Sequence, residues 1–264
     1  MAVATQDGLV AAMASAIPYS YQRSSIANMV AGNLCSMWRA NGSPLQGAIP
    51  STAATCNSSL TGCVPYNNPG SPNLTYLGQF TLQNSLACAA ILFDRLAHMG
   101  GLSGTVTTAQ TVSVSTPASR GVLSDFSNVE WYLEWYTDTG STAVTATVTY
   151  TNQGSTSGKT TTVAMAATVR TGTLLRITPA AGDTIQSIQS VTLSATTGTV
   201  GSFGVTCCIR LAEVPLSNPY LVTTLDAFNL GLPRIYDNSC LVWAVLCSTT
   251  STGIIQGRIR LAQG

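Results

Sequence analysis

The sequence predicts a mainly β protein, with an antiparallel β-sandwich-like C-terminal domain preceded by a helical and extended-arm N-terminal region. Three observations lead there. After residue 103 apolar and polar residues alternate through most of the chain. Gly- and Ser-containing connectors such as QGSTSGK, PAAGD and TTGTVGS separate these stretches at short intervals. Before residue 103, apolar residues recur instead at helical spacing, between Pro- and Gly-rich loops. The chain therefore divides into residues 1–103 and 104–264.

Residues 5–16 and 24–40 read as helices. In the second, Ile26, Met29, Val30, Asn33, Leu34, Met37 and Trp38 recur at helical spacing, and Gly42 with Pro44 ends the pattern. Residues 41–82 carry Pro44, Pro50, Pro65, Pro69 and Pro72 and hold no period. So long an aperiodic stretch is unusual inside a domain, and it predicts an extended arm over another surface of this chain or of a neighbour. Residues 84–99 predict a third helix, capped by Asn84 or Ser85 and stopped by Gly100-Gly101. It is apolar almost all round, which implies burial on most sides. Asp94 and His98, one helical turn apart, would pair at its end.

In NVEWYLEWYTD, Val129, Trp131, Leu133 and Trp135 share one strand face, and Glu130, Tyr132, Glu134 and Tyr136 the other. The turn at Asp138–Ser141 leads to TAVTATVTYTN, so the two segments predict a hairpin. Further strands fit residues 159–164, 174–178, 188–195, 203–211, 240–247 and 254–261. Cys207 and Cys208 fall on opposite faces of theirs, with Cys207 read as a buried apolar residue. Residues 215–238 carry three prolines and scattered large apolar residues, and read as a crossing between sheets or a contact with a partner subunit.

Only 8% of the 264 residues are charged, against roughly a quarter in an ordinary soluble domain. The place of charge is taken by 37 Thr and 28 Ser among others, and ten of the eleven basic residues are arginine. An apolar content of 45% argues against charge-driven disorder. A net charge of +1 argues against nucleic-acid binding through a basic patch. No apolar run reaches the eighteen or so residues of a membrane helix. The start MAVATQDGLVAAMASAIP lacks the basic segment and apolar core of a secretory signal, so synthesis and retention in a cytoplasm are expected.

Candidates for chemistry are few. With one histidine, His98, and no CxxC, neither a zinc site nor a histidine-based triad can be assembled from local motifs, and no metal, cofactor or catalytic residue is expected. Cys56 and Cys63 close the polar loop CNSSLTGC, where a disulfide competes with two free thiols. Glu130 and Glu134 invite a glycosidase reading. Four residues of strand span about 13 Å at ~3.3 Å each, however, whereas working carboxylate pairs lie roughly 5–9.5 Å apart. Tyr132 and Tyr136, flanked by those glutamates, suit a sugar-stacking platform, an interface, or a second buried face. Arg258 and Arg260 alternate with Ile259 and Leu261 in the last strand, as on an edge strand or at a contact with carboxylates.

The run LACAAILFDRLAHMGGLSG, the Thr-rich VEWYLEWYTDTGSTAVTATVTYTN and the closing RIRLAQG together resemble virion structural proteins of tailed bacteriophages, most of all the accessory capsid proteins that decorate or cement heads. The likeness is one of style and segment order over most of the chain, and it carries no catalytic or ligand-binding motif. It implies a non-enzymatic virion component, made in the host cytoplasm, whose partners are the major capsid protein and copies of itself. A tail or neck location is the alternative within that class; a carbohydrate-binding sandwich is the alternative outside it. The expected contact residues are Tyr132, Tyr136, Tyr220, Phe228, Arg234, Tyr236, Arg258 and Arg260.

Overall fold

The computed structural model describes residues 3, 5–67 and 69–264. A helix α1 (Gln6–Ala14) and a strand β1 (Pro18–Arg23) open the chain, followed by the short strands β2 (Leu34–Ser36), β3 (Gly42–Ser43) and β4 (Ala54–Thr55). Two long strands follow, β5 (Thr75–Asn84) and β6 (Cys88–Ser103). Then come β7 (Gln110–Ser115), β8 (Glu130–Trp135), β9 (Val144–Asn152), β10 (Lys159–Met165), β11 (Thr173–Ile177), β12 (Ile185–Leu193) and β13 (Ser202–Leu216). The chain closes with β14 (Thr223–Asp226), α2 (Ala227–Leu230), β15 (Arg234–Ile235), β16 (Leu241–Cys247) and β17 (Ile255–Gln263).

Six strands form a closed barrel. The order β13-β8-β11-β2-β16-β6 returns to its start because β6 also pairs with β13. Two further sheets lie on the barrel wall. The four-stranded sheet β10-β9-β12-β7 shares a core with Trp131, Leu133 and Trp135 of β8 and with Phe203, Val205 and Cys207 of β13. The six-stranded sheet, β14-β5-β17-β1-β3 with β15 also on β5, packs on Leu241, Trp243 and Val245 of β16 and on Ala90 and Leu92 of β6. A third core fills the barrel, with Trp38, Phe93, Tyr132, Cys208 and Val242. The architecture is thus a barrel flanked by two antiparallel sheets, where a sandwich was expected. The division at residue 103 does not separate sheets, since the barrel and the six-stranded sheet each draw strands from both sides of it.

Helix α1 forms as expected, with the Thr5 hydroxyl accepting from Gly8 N at 3.0 Å as its N-cap. The other two expected helices do not. Residues 88–103 form β6, one face of which looks into the barrel (Ile91, Phe93) while the other meets the flanking sheets (Ala90, Leu92, Leu96). A strand buried on both faces reads as a continuous apolar run, which periodicity cannot separate from a buried helix. Gly100 serves close approach there and stops no helix: a Cβ on it would lie 2.2 Å from Ile49 Cγ2. Residues 24–40 are loop and β2, broken where Asn28 and Gly32 take positive φ. Their large side chains go to two cores, Met29 and Met37 towards the six-stranded sheet and Trp38 into the barrel.

Strand expectations fare better. β10, β11, β16 and β17 lie within a residue or two of the predicted spans, and Cys207 and Cys208 do face different cores across a bulge. The hairpin between β8 and β9 is not made. β8 pairs with β11 and β13 in the barrel, β9 with β10 and β12 in the four-stranded sheet, and the two meet face to face across a core. Residues 41–82 pack on their own chain: Cys56, Cys63, Val64 and Tyr66 are buried, and β5 is paired within the six-stranded sheet. β17 runs between β5 and β1, so it is no edge strand.

Leu133 sits at the middle of the core between barrel and four-stranded sheet and is fully buried. Leu133→Ala should cost about 2–5 kcal/mol, whereas Leu123→Ala, half-exposed, should stay within about 0.5 kcal/mol. Midpoints of urea unfolding followed by tryptophan fluorescence check both.

Candidate functional site

Charged side chains in a chain so poor in charge converge inside and at one end of the barrel. Glu134 points inward from β8, and Arg95 comes from β6. Arg95 Nη1 donates to Glu134 Oε1 at 3.2 Å and Nη2 to Oε2 at 2.5 Å, a two-pronged pair with both side chains buried. Nη2 also reaches His98 Nδ1 at 2.7 Å; since arginine only donates, Nδ1 accepts and the ring hydrogen sits on Nε2. The Arg95 guanidinium lies 4.6 Å from the Trp38 ring centre, and Trp38 meets His98 edge to face. Tyr136 donates to Glu134 Oε2 at 3.2 Å. Burial works against the Glu134 charge, but the Arg95 guanidinium, with a Ser36 hydrogen bond, holds its carboxyl below the usual range.

A second cluster lies against the first. Asp94 accepts from Ser239 Oγ at 2.7 Å and Cys240 N at 2.8 Å, and lies 3.4 Å from Arg120 Nη1. Burial outweighs these partners and raises its pKa. Arg120 donates to four carbonyls, those of Cys56, Asn238, Arg95 and Leu96, at 2.7–3.2 Å. The expected Asp94–His98 pair is therefore absent: on a strand the two are drawn to different partners. Cys56 and Cys63 are both free thiols, and both share a core with Cys240.

Tyr132 and Tyr136 are buried within the barrel wall, Tyr132 donating to Glu130 and Tyr136 to Glu134. Neither offers a ring to solvent, so the sugar platform and the interface read from them are corrected to core packing. The glycosidase reading weakens for a related reason. Glu134 is committed to Arg95, while Glu130 is bridged to Arg210 at 3.2 Å and Arg176 at 3.6 Å. A general acid needs a raised pKa, and that of Glu134 is lowered.

The other expected contact residues lie at the surface. Tyr220 and Phe228 are 70% and 78% exposed, with Leu221 and Val222 between them also open. The segment that carries them runs along the edge of the six-stranded sheet: β14 and β15 pair with β5, and Asp226 caps α2. Arg234 is exposed and its guanidinium stacks 4.5 Å from the half-buried Tyr236 ring. Arg258 is exposed and Arg260 half-buried on β17. Ser20, Gln22, Thr81, Gln83, Gln256 and Arg258 line a cleft of about 570 Å³ on the six-stranded sheet.

Arg95, Glu134, His98, Trp38 and Arg120 were not singled out by sequence as a cluster. The available signal was charge inside apolar strands, as in LACAAILFDRLAHMGGL: such residues are rarely buried unless paired.

No family model matches the chain, and no curated protein does. Among solved structures, the infectious bursal disease virus VP2 subviral particle aligns over 94% of this chain and 80% of that one, at 12% identity and a TM-score of 0.19. Structures of the Gx and Gt strains of that virus align at 12% and 13% identity with TM-scores of 0.18 and 0.17. At these scores the alignments establish neither a shared fold nor a shared role. No helix among the described residues is long and apolar enough to cross a membrane.

Glu134→Gln leaves Arg95 buried without its counter-charge and should cost about 3–5 kcal/mol at pH 7. The folded-state pKa of Glu134 lies below its unfolded value, so its contribution is present above the ordinary carboxylate range and is lost as pH falls through the lower, folded value. The gap between wild type and variant should therefore close on acidification. Denaturant midpoints at pH 7, 5 and 3 test this; a gap that is constant or widens towards acid refutes it.

Proposed function

We propose that the protein is a structural, non-enzymatic subunit of a virus particle that binds neighbouring shell subunits and copies of itself, in the manner of a head decoration or cement protein. The observation that carries this reading is the exposed segment with Tyr220, Leu221, Val222 and Phe228. Large apolar side chains clustered at a surface mark a contact site, and aromatic residues are frequent anchors of such contacts. The surrounding surface fits the same role. A freely dispersed protein tends towards roughly 25–35% charge at its surface, whereas only 8% of this whole chain is charged. Hydroxyl-rich surface loses less on desolvation than charge does. Arg258 and Arg260 have no ion-pair partner among the described residues and can each grip a neighbour's carboxylate. Modest contacts per copy become strong by repetition over a shell. The resemblance to phage virion proteins adds the particle itself, with the major capsid protein as partner and the host cytoplasm as the place of synthesis.

Sedimentation of the purified chain, alone and with assembled shells, tests the reading. Self-association or shell binding is expected, and the double variant Y220S/F228S should weaken it about tenfold or more with the fold unchanged by circular dichroism. A stable monomer that ignores assembled particles would sink the proposal. Copy number by mass spectrometry then separates locations: hundreds per particle for the head, on the order of a dozen for a neck or tail ring.

A further inference from the structure

Three of the eight cysteines are gathered at one point by backbone pairing. Cys56 N donates to Leu96 O at 2.9 Å, and on the neighbouring residue of β6 Arg95 N donates to Cys240 O at 2.9 Å. Val64 N, next to Cys63, donates to Leu241 O at 2.8 Å, next to Cys240. Arg120 clamps the same two segments through the carbonyls of Cys56 and Asn238. Cys240 is thereby held between the two ends of the 56–63 loop, close enough to Cys56 and Cys63 that the three thiols affect one another's proton affinity. All three side chains belong to the core that fills the barrel. The outer two reach solvent-facing clefts: Cys56 lines one of about 550 Å³ and Cys63 one of about 530 Å³. Among the described residues no three His, Cys, Asp or Glu side chains are arranged to hold a metal ion.

We infer that Cys56 and Cys240 are a disulfide-forming pair, closed by thiol–disulfide exchange with a low-molecular-weight disulfide of the glutathione class, and that Cys63 remains a thiol. Its neighbours prepare Cys56 to react first. The neighbouring Cys240 thiol, then His98 and the Arg95 charge, lower its pKa well below the usual thiol value despite burial, whereas that of Cys63 is lowered less. Cys240 is pushed well above that value by desolvation and by the neighbouring Cys56 and Cys63 thiols. The Cys56 thiolate attacks one sulfur of the reagent; the new S–S bond forms, the reagent's own S–S bond breaks, and the released thiolate takes up the proton that Cys56 gave up. Cys240 Sγ then attacks Cys56 Sγ and expels the second reagent thiolate, which leaves with the Cys240 proton. Two protein thiols are oxidised and one reagent disulfide is reduced to two thiols. A reducing cytoplasm would keep the pair open, and an oxidising medium would close it. The bond ties the loop ahead of β5 to the residue ahead of β16, across a long stretch of chain, which is where a cross-link constrains the unfolded state most.

The test uses the full chain, reduced and then equilibrated with oxidised glutathione at neutral pH. Thiols titrated in denaturant should fall from the eight of the reduced chain by two, and peptide mapping without reduction should link Cys56 to Cys240. The Tm should rise by on the order of 5–10 °C on oxidation. Cys63→Ser should keep both the link and the shift, and Cys240→Ser should lose both. An unchanged thiol count, or a link that joins Cys63 to either of the others as the main product, overturns the inference on the wild-type protein alone, whatever the variants do.

Discussion

β6 is the constraint on which the other layers depend. It is hydrogen-bonded on both edges, to β13 along one and to β16 and β4 along the other, and this closes the barrel. A closed barrel has no free strand edge, but it leaves each wall strand with an inner and an outer face to cover. The two flanking sheets cover the outside, one on each end of the long β6–β13 pair. The inside is filled by large rings and by the Arg95–Glu134 pair, whose charges are tolerated because each is met at short range by the other.

The same arrangement accounts for the preference for arginine. Arg23, Arg95 and Arg120 are all buried, and each uses its planar fork on several acceptors at once. Arg23 reaches the carbonyls of Ala40, Pro44 and Gly62, and Arg120 those of four residues from three separate segments. Residues 41–74 have little regular structure, so their carbonyls lack ladder partners; the arginine forks supply donors in place of a sheet. A lysine has three donors on one point charge and could not span these positions.

Five of the twenty-one charged side chains are buried (Arg23, Asp94, Arg95, Arg120 and Glu134), which thins the charge of the exterior further. Outward-facing Ser20, Gln22, Thr81, Gln83 and Gln256 surround Arg258 on the six-stranded sheet. Four exposed large apolar residues, Tyr220, Leu221, Val222 and Phe228, lie at the margin of the same sheet, on the segment joining β13 to β15. Low charge outside and paired charge inside are two aspects of one composition.

Alternation along β8, β9, β10 and β17 was legible in the sequence because a strand's two faces differ whenever the layers on them differ, and Cys207 and Cys208 could be assigned opposite faces for the same reason. The thiol loop and the surface position of Tyr220 and Phe228 were also within reach, from turn residues and prolines. What only the tertiary structure decided was pairing and coverage. β8 and β9 are adjacent in the chain yet lie in different layers; β6 looks helical because both its faces are apolar; Tyr132 and Tyr136 look exposed because their companions are glutamates, one of which is neutralised by an arginine 39 residues away. Periodicity is a property of one segment and records which residues share a face. The neighbour that covers that face, and the charge that meets a buried charge, come from distant parts of the chain and are fixed only when the barrel closes.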